Sequence, residues 1–157
     1  MYYPYLHTPL TTLKLKMVFF SMSKFMSIDE LIHIYLVIIV GHSHCGGVTA
    51  SLNAARDPDF VPVDPIITIK GEPADSPLNK WLKPLTLLAY FLKLPDQSEA
   101  SIATVIKANV KAQVDNLAKT ETIRNAWAKK QRVFIHGWFY ELSTGHLVDL
   151  GFSHGPK

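Results

Sequence analysis

Val37-Ile38-Ile39-Val40-Gly41-His42-Ser43-His44-Cys45-Gly46-Gly47 is the stretch that decides how the chain is read. Its opening β-branched apolar run has the pattern of a short buried strand. The run ends in a glycine-bounded turn that carries two imidazoles and the only cysteine of the sequence. Glycines at 41, 46 and 47 allow the backbone the close approach that a tight functional turn needs. His42 and Cys45 stand three positions apart, a spacing from which both reach one Zn²⁺, at about 2.3 Å for sulfur and about 2.0–2.1 Å for nitrogen. The pattern supplies two donors where zinc takes three or four from protein, so a buried structural cysteine beside a strand is the competing reading.

Composition sets the frame around that turn. A chain of 157 residues with 48% apolar content is long enough to bury one genuine core. The formal charge is +3, and the three arginines (Arg56, Arg124, Arg132) and scattered lysines make no concentrated basic patch, which excludes nucleic acid as a partner. A single cysteine excludes an intramolecular disulfide and suits a reducing compartment, so a cytoplasmic location is expected, with a mitochondrial one as the alternative. The apolar runs 17–20 and 31–40 fall well short of the ~20 residues a membrane span requires, so no membrane association is expected.

Residues 1–26 read as an atypical, poorly ordered arm, with no acidic residue and with Lys14, Lys16 and Lys24. The missing acids suit an organellar transit peptide, and the missing arginines argue against one. Residues 27–157 read as the domain proper. Ser27 and Glu30 form a capping box for a short helix into Ile34, followed by the strand that ends at Val40. Helix is expected again over 48–55, with its positive N-terminal end at the His-Cys turn. The stretch 53–75, with prolines at 58, 62, 65 and 73, reads as an irregular connection containing a short extended piece at 66–69. Ser76 and Pro77 open a helix whose apolar face runs through Leu78, Trp81, Leu82, Leu85, Leu88, Ala89 and Leu92, and Pro84 is expected to kink or divide it. The longest helix is expected over 99–118, with Ile102, Val105, Ile106, Val110, Val114 and Leu117 inward and Lys107, Lys111 and Lys119 in solvent. A further helix carries Ile123, Ala126 and Trp127 inward. The tail then turns strand-like over 133–142, breaks at Ser143-Thr144-Gly145, and returns over 146–150. This order predicts an α/β fold, a central mostly parallel sheet flanked by helices with an antiparallel edge hairpin.

Four blocks carry a resemblance. They are Ile38-Ile39-Val40-Gly41-His42-Ser43-His44-Cys45-Gly46-Gly47, Pro77-Leu78-Asn79-Lys80-Trp81-Leu82, Asn109-Val110-Lys111-Ala112-Gln113-Val114 with Asn116 and Leu117, and His136-Gly137-Trp138-Phe139-Tyr140-Glu141-Leu142-Ser143-Thr144-Gly145 with Leu147, Asp149 and Leu150. In this order they make the chain, from about Ser27 to its end, resemble a β-class carbonic anhydrase of the fungal kind. The resemblance implies zinc-dependent reversible hydration of CO₂ to bicarbonate, with Zn²⁺ held by one histidine and two cysteines and with water as fourth ligand. His42 and Cys45 match the histidine and the second cysteine, and Gly46 and Gly47 match the glycines that border the anion pocket. It also implies a homodimer or an oligomer built from dimers.

The sequence departs from that family at one point. The first metal cysteine belongs to a Cys-x-Asp-x-Arg motif well upstream of the histidine, and no such motif occurs here. A truncated or mis-spliced gene is one reading, and a non-catalytic homologue acting as a structural or regulatory partner is the other. No nearby residue replaces the missing donors. His44 reads as a rim residue, His33 as a packing residue, and His136 as a hydrogen-bonded structural histidine, while His7, His146 and His154 lie in no motif. Ser43 lacks a nucleophile-elbow context. Trp81, Trp127 and Trp138 read as core or dimer-contact aromatics. Asn109 and Gln113, one helical turn apart, serve packing and hydrogen bonding.

Overall fold

The run 36–40 has no polar side chain to turn outward, and a strand of that kind must be covered on both faces. In the computed structural model, which describes residues 36–157, it forms β1 (Leu36–His42), with Val37, Ile38 and Ile39 buried. Strand β2 (Phe134–Glu141) runs parallel to it, in a register that sets Leu36 against Phe134 and His42 against Tyr140. Strand β3 (His146–His154) pairs antiparallel with β2, giving the order β1-β2-β3. The mixed sheet with its edge hairpin is the expected α/β arrangement. Gly145, at φ +72°, makes the hairpin turn and donates its N–H to the Glu141 carbonyl at 2.8 Å.

Parallel neighbours need a crossover. Here it consists of four helices, α1 (Gly46–Ala55), α2 (Pro77–Phe91), α3 (Glu99–Ala118) and α4 (Glu121–Ala128). The bounds of α3 are those its periodicity predicts, and Ile102, Val105, Ile106, Val110 and Val114 are all buried. One end of α3 closes a core with Val37, Ile39, Ile123, Ala126 and Ile135. Its other end closes a second core with Val48, Leu52, Ala89 and Phe139. The helix thereby joins the sheet to α1, the helix that follows the His-Cys turn.

Helix α3 is started by side chains rather than by charge alone. Ser98 accepts the Ser101 N–H, and one oxygen of Asp96 accepts from the Ser98 N–H and from the hydroxyls of Ser98 and Ser101. The Ser101 hydroxyl first, then Ser98, hold the Asp96 carboxyl down from 3.8 to about 2. A lowered carboxyl pKa stabilises the folded form above its unfolded value, and that contribution disappears as pH falls through the folded value. Amide protection at residues 98–102 is therefore expected to be constant above about pH 4 and to fall between about pH 4 and 2. Asp96→Asn should flatten that dependence in hydrogen exchange. A dependence unchanged in the variant would disprove the assignment.

Helix α2 runs through Pro84 as one 15-residue element, so of the two outcomes expected there, a kink or a division, the division does not occur. One missing N–H is outweighed by packing on both sides of it, where Leu82, Thr86 and Ala89 are buried, and the Thr86 hydroxyl bonds back to the Leu82 carbonyl. The buried face is also rotated. It comprises Asn79, Leu82, Thr86 and Ala89, whereas Leu78 and Trp81 are exposed at 44% and 48%. The extended piece expected at 66–69 is not a strand. Its backbone donors go instead to a side chain: Asn79 Oδ1 accepts the N–H of Thr68 at 3.0 Å and of Ile69 at 2.9 Å. Helix α4 matches its reading, with Ile123 and Ala126 buried and Trp127 Nε1 donating to the Val133 carbonyl. Among the described residues no helix is long and apolar enough to cross a membrane. The arm 1–26, the capped helix from Ser27, His7 and His33 lie outside the described residues.

Candidate metal centre

A parallel strand delivers its last residue to the sheet's carboxyl edge, where open α/β sheets place their ligand sites. His42 ends β1 there, opposite Tyr140. The turn Ser43-His44-Cys45 follows, and Cys45 is the N-cap of α1. The chain makes this abrupt reversal with His44 in the left-handed region at φ +56°. Gly46 and Gly47 are the first two residues of α1, so their amides sit at its positive end. A side chain at Gly46 would meet nothing within 4 Å, whereas one at Gly47 would touch Leu82 and Trp81.

The donor atoms differ in surroundings. His42 is exposed, and its Nδ1 lies 2.9 Å from the Ser43 carbonyl. That contact calls for a proton on Nδ1 and leaves Nε2 with its lone pair outward, the tautomer of a metal-binding imidazole. Cys45 is half-buried against the second core, at the N-terminal end of α1. His44 points away from this pair toward Glu99, at 3.7 Å, with both side chains exposed. Among the described residues, no group of three His, Cys, Asp or Glu side chains gathers into a metal site. His42 and Cys45 thus suit zinc as a pair of donors and do not complete a site by themselves.

Beneath the turn lies a network that the sequence reading missed. Ser43 is buried, donates its hydroxyl to Glu141 Oε1 at 2.6 Å, and accepts the Leu142 N–H at 2.9 Å. The Ser43 hydroxyl is the main cause holding the Glu141 carboxyl below its usual range, with Ser143 assisting. Ser43 and Glu141 are 98 residues apart, so no local pattern could pair them. Two further histidines, His136 and His154, have ordinary partners. His136 Nδ1 lies 2.8 Å from Ser153 Oγ, as expected of a structural histidine, and burial lowers its pKa. His154 Nε2 lies 2.8 Å from Asp115. Asn109 accepts from Gln113 at 3.2 Å, the expected pairing along α3.

Comparison with known proteins matches this arrangement. The family model described as carbonic anhydrase matches residues 28–147. Carbonic anhydrase 1 of Escherichia coli O157:H7 is 25% identical over 114 residues, covering 71% of this chain and 45% of that protein. Among solved structures, a tetrameric β-carbonic anhydrase of Sordaria macrospora superposes with a TM-score of 0.59 at 23% identity, covering 80% of this chain and 57% of that one. The Coccomyxa β-carbonic anhydrase solved with acetazolamide also gives 0.59 at 23% identity, over 78% and 51%. The chain therefore spans about half the length of the relatives it matches. With the family model covering most of its residues and its sheet and helices laid out as in these structures, the chain belongs to the carbonic anhydrase family and has the fold of the β class.

Proposed function

We propose that this chain serves the reversible hydration of CO₂ to bicarbonate, with His42 and Cys45 as two of the protein donors to Zn²⁺. The observation that carries this reading is the delivery of an Nε2-presenting imidazole and a helix-capping thiol to one turn at the sheet's carboxyl edge. Zinc, when bound, supplies a hydroxide near neutral pH, because its water has a pKa of about 7. The chain's own part is to hold the two donors and to offer the Gly46 and Gly47 amides to the bicarbonate anion. The described residues gather no third protein donor beside this pair. A cytoplasmic location fits the single thiol, with a mitochondrial one as the alternative. A homodimer or dimer-based oligomer fits the exposed Leu78, Trp81, Phe91, Leu147 and Val148.

One observation favours a second reading, a non-catalytic homologue that keeps the scaffold as a structural or regulatory partner. The chain has one cysteine and no Cys-x-Asp-x-Arg motif, and two donors bind zinc weakly. Elemental analysis of untagged protein separates the two. The first reading expects about one zinc per chain, lost in Cys45→Ser, together with CO₂ hydration in stopped flow. Little zinc in both proteins, with no hydration above buffer, would overturn it in favour of the scaffold. Sedimentation of the same samples reports the assembly, and a stable monomer at micromolar concentration counts against the oligomer.

A further inference from the structure

The exposed residues of the His42–Cys45 turn do not hold it by themselves. His42 and His44 are exposed, His44 is in the left-handed region, and the start of α1 has no side-chain cap. The buried residue of the turn is Ser43, and every polar group it has is engaged. Its N–H donates to the Tyr140 carbonyl at 2.9 Å, its carbonyl lies 2.9 Å from His42 Nδ1, and its hydroxyl bridges Glu141 and the Leu142 N–H. Glu141 Oε1 is held in turn by the Ser143 hydroxyl at 3.0 Å and the Ser143 N–H at 3.4 Å. The turn after β1 is thus tied to the turn after β2 through one serine and one carboxylate.

We infer that Ser43 and Glu141 are positioning residues, a lock that aims the His42 imidazole and the Cys45 thiol at a shared metal ion. The inference rests on the reading of His42 and Cys45 as donors. Ser43 stands one residue from the first and two from the second, so a rotation of its backbone swings both. Its carbonyl orients the imidazole directly, and the carboxylate of Glu141 orients Ser43, so the chain of contacts runs from Glu141 through Ser43 to the ring of His42. Outer partners of this kind are worth about 10–100-fold in metal affinity. Ser43 is no nucleophile here, since its hydroxyl proton is given to Glu141 and the residue is buried.

The test titrates the full chain with Co²⁺ alone and follows the thiolate-to-cobalt absorption that Cys45→Ser abolishes. Ser43→Ala and Glu141→Gln are expected to weaken Co²⁺ binding about 10–100-fold and to shift the visible bands, while Ser43→Thr, which keeps the hydroxyl, restores both. Thr144→Ala, which removes the acceptor of the His146 N–H in the same hairpin without touching Glu141 or Ser43, should change affinity by no more than about twofold. Circular dichroism and melting curves show whether each variant is folded. A Cys45-dependent band of equal strength in the wild type, Ser43→Ala and Glu141→Gln would overturn the lock and leave the donor reading standing. A loss in Thr144→Ala as large as in Ser43→Ala would also overturn it, because hairpin stability would then explain both. Absence of the band from the wild type would sink the donor reading, and the lock with it.

Discussion

Asn79→Ala is expected to cost about 3–4 kcal/mol of stability and to lower the melting temperature by about 10 °C. Asn79 is completely buried on α2, and its amide makes four main-chain hydrogen bonds. Oδ1 accepts from Thr68 and Ile69, while Nδ2 donates to the carbonyls of Glu72 at 3.3 Å and Pro73 at 3.0 Å. The segment 66–73 thereby obtains from one side chain the pairing that a neighbouring strand would otherwise provide. Truncation leaves these groups unpaired at about 1–3 kcal/mol for each that water cannot reach, and Thr68 is among the buried ones. Asn79→Asp is expected to be no rescue, because its second oxygen would face two carbonyls and its charge would be buried. Thermal unfolding by circular dichroism checks this, and a fall of less than about 2 °C in Asn79→Ala would mean that the segment is held by something else.

The second large effect is expected at the strand glycines under α3. A methyl on Gly41 would lie 2.5 Å from Ile106 Cγ2 and 2.8 Å from Val110 Cγ2, and one on Gly137 would lie 2.8 Å from Val110 Cγ1 and 3.1 Å from Val114 Cγ2. Ile and Val hold one χ1 rotamer in a helix, so none of these atoms can swing aside, and the helix itself must lift. Gly41→Ala and Gly137→Ala are each expected to cost about 1–3 kcal/mol or more by overpacking. Val110 touches both sites, so Val110→Ala should recover part of either loss, and the double variant should be more stable than the sum of the singles. Gly46→Ala, with open space around its Cβ, serves as the control and should be neutral or slightly stabilising. Chemical denaturation of this set decides the matter, and a Gly41→Ala variant as stable as the wild type would show that α3 yields more easily than its packing implies. Gly41 also precedes His42, so the same variant should weaken whatever metal binding the turn supports.

These sites show where reading the sequence stops. Periodicity placed α3 over Glu99–Ala118 and named its buried face, because that helix packs along one continuous stripe and each turn repeats the same demand. The same method drew the face of α2 through Leu78, Trp81, Leu82, Leu85, Leu88, Ala89 and Leu92, of which Leu82 and Ala89 are buried while Leu78 and Trp81 are exposed. Apolar character reports what a side chain prefers, and the burial of Asn79 and Thr86 is offset by hydrogen bonds, chiefly to the irregular connection before the helix. Thr86 Oγ1 lies 2.6 Å from Thr68 Oγ1, a partner 18 residues away. Likewise the sequence left open whether Pro84 kinks or divides its helix, because a lost N–H is a local matter while the packing that carries α2 through it undivided is not.

The sequence by itself determined the buried strand, the His-x-x-Cys turn after it, the long helix and the terminal hairpin, since each is written in neighbouring residues through hydrophobic period, turn chemistry and spacing. It also identified the family, because four ordered blocks suffice where one short motif does not. Tertiary structure alone decided the jobs of Asn79, Ser43 and Glu141 and the closeness of α3 to Gly41 and Gly137. Those are pairings beyond any short local pattern, 10 residues apart for Asn79 with Ile69 and 98 for Ser43 with Glu141, and a polar side chain shows its role only when folding has removed water and left it a partner.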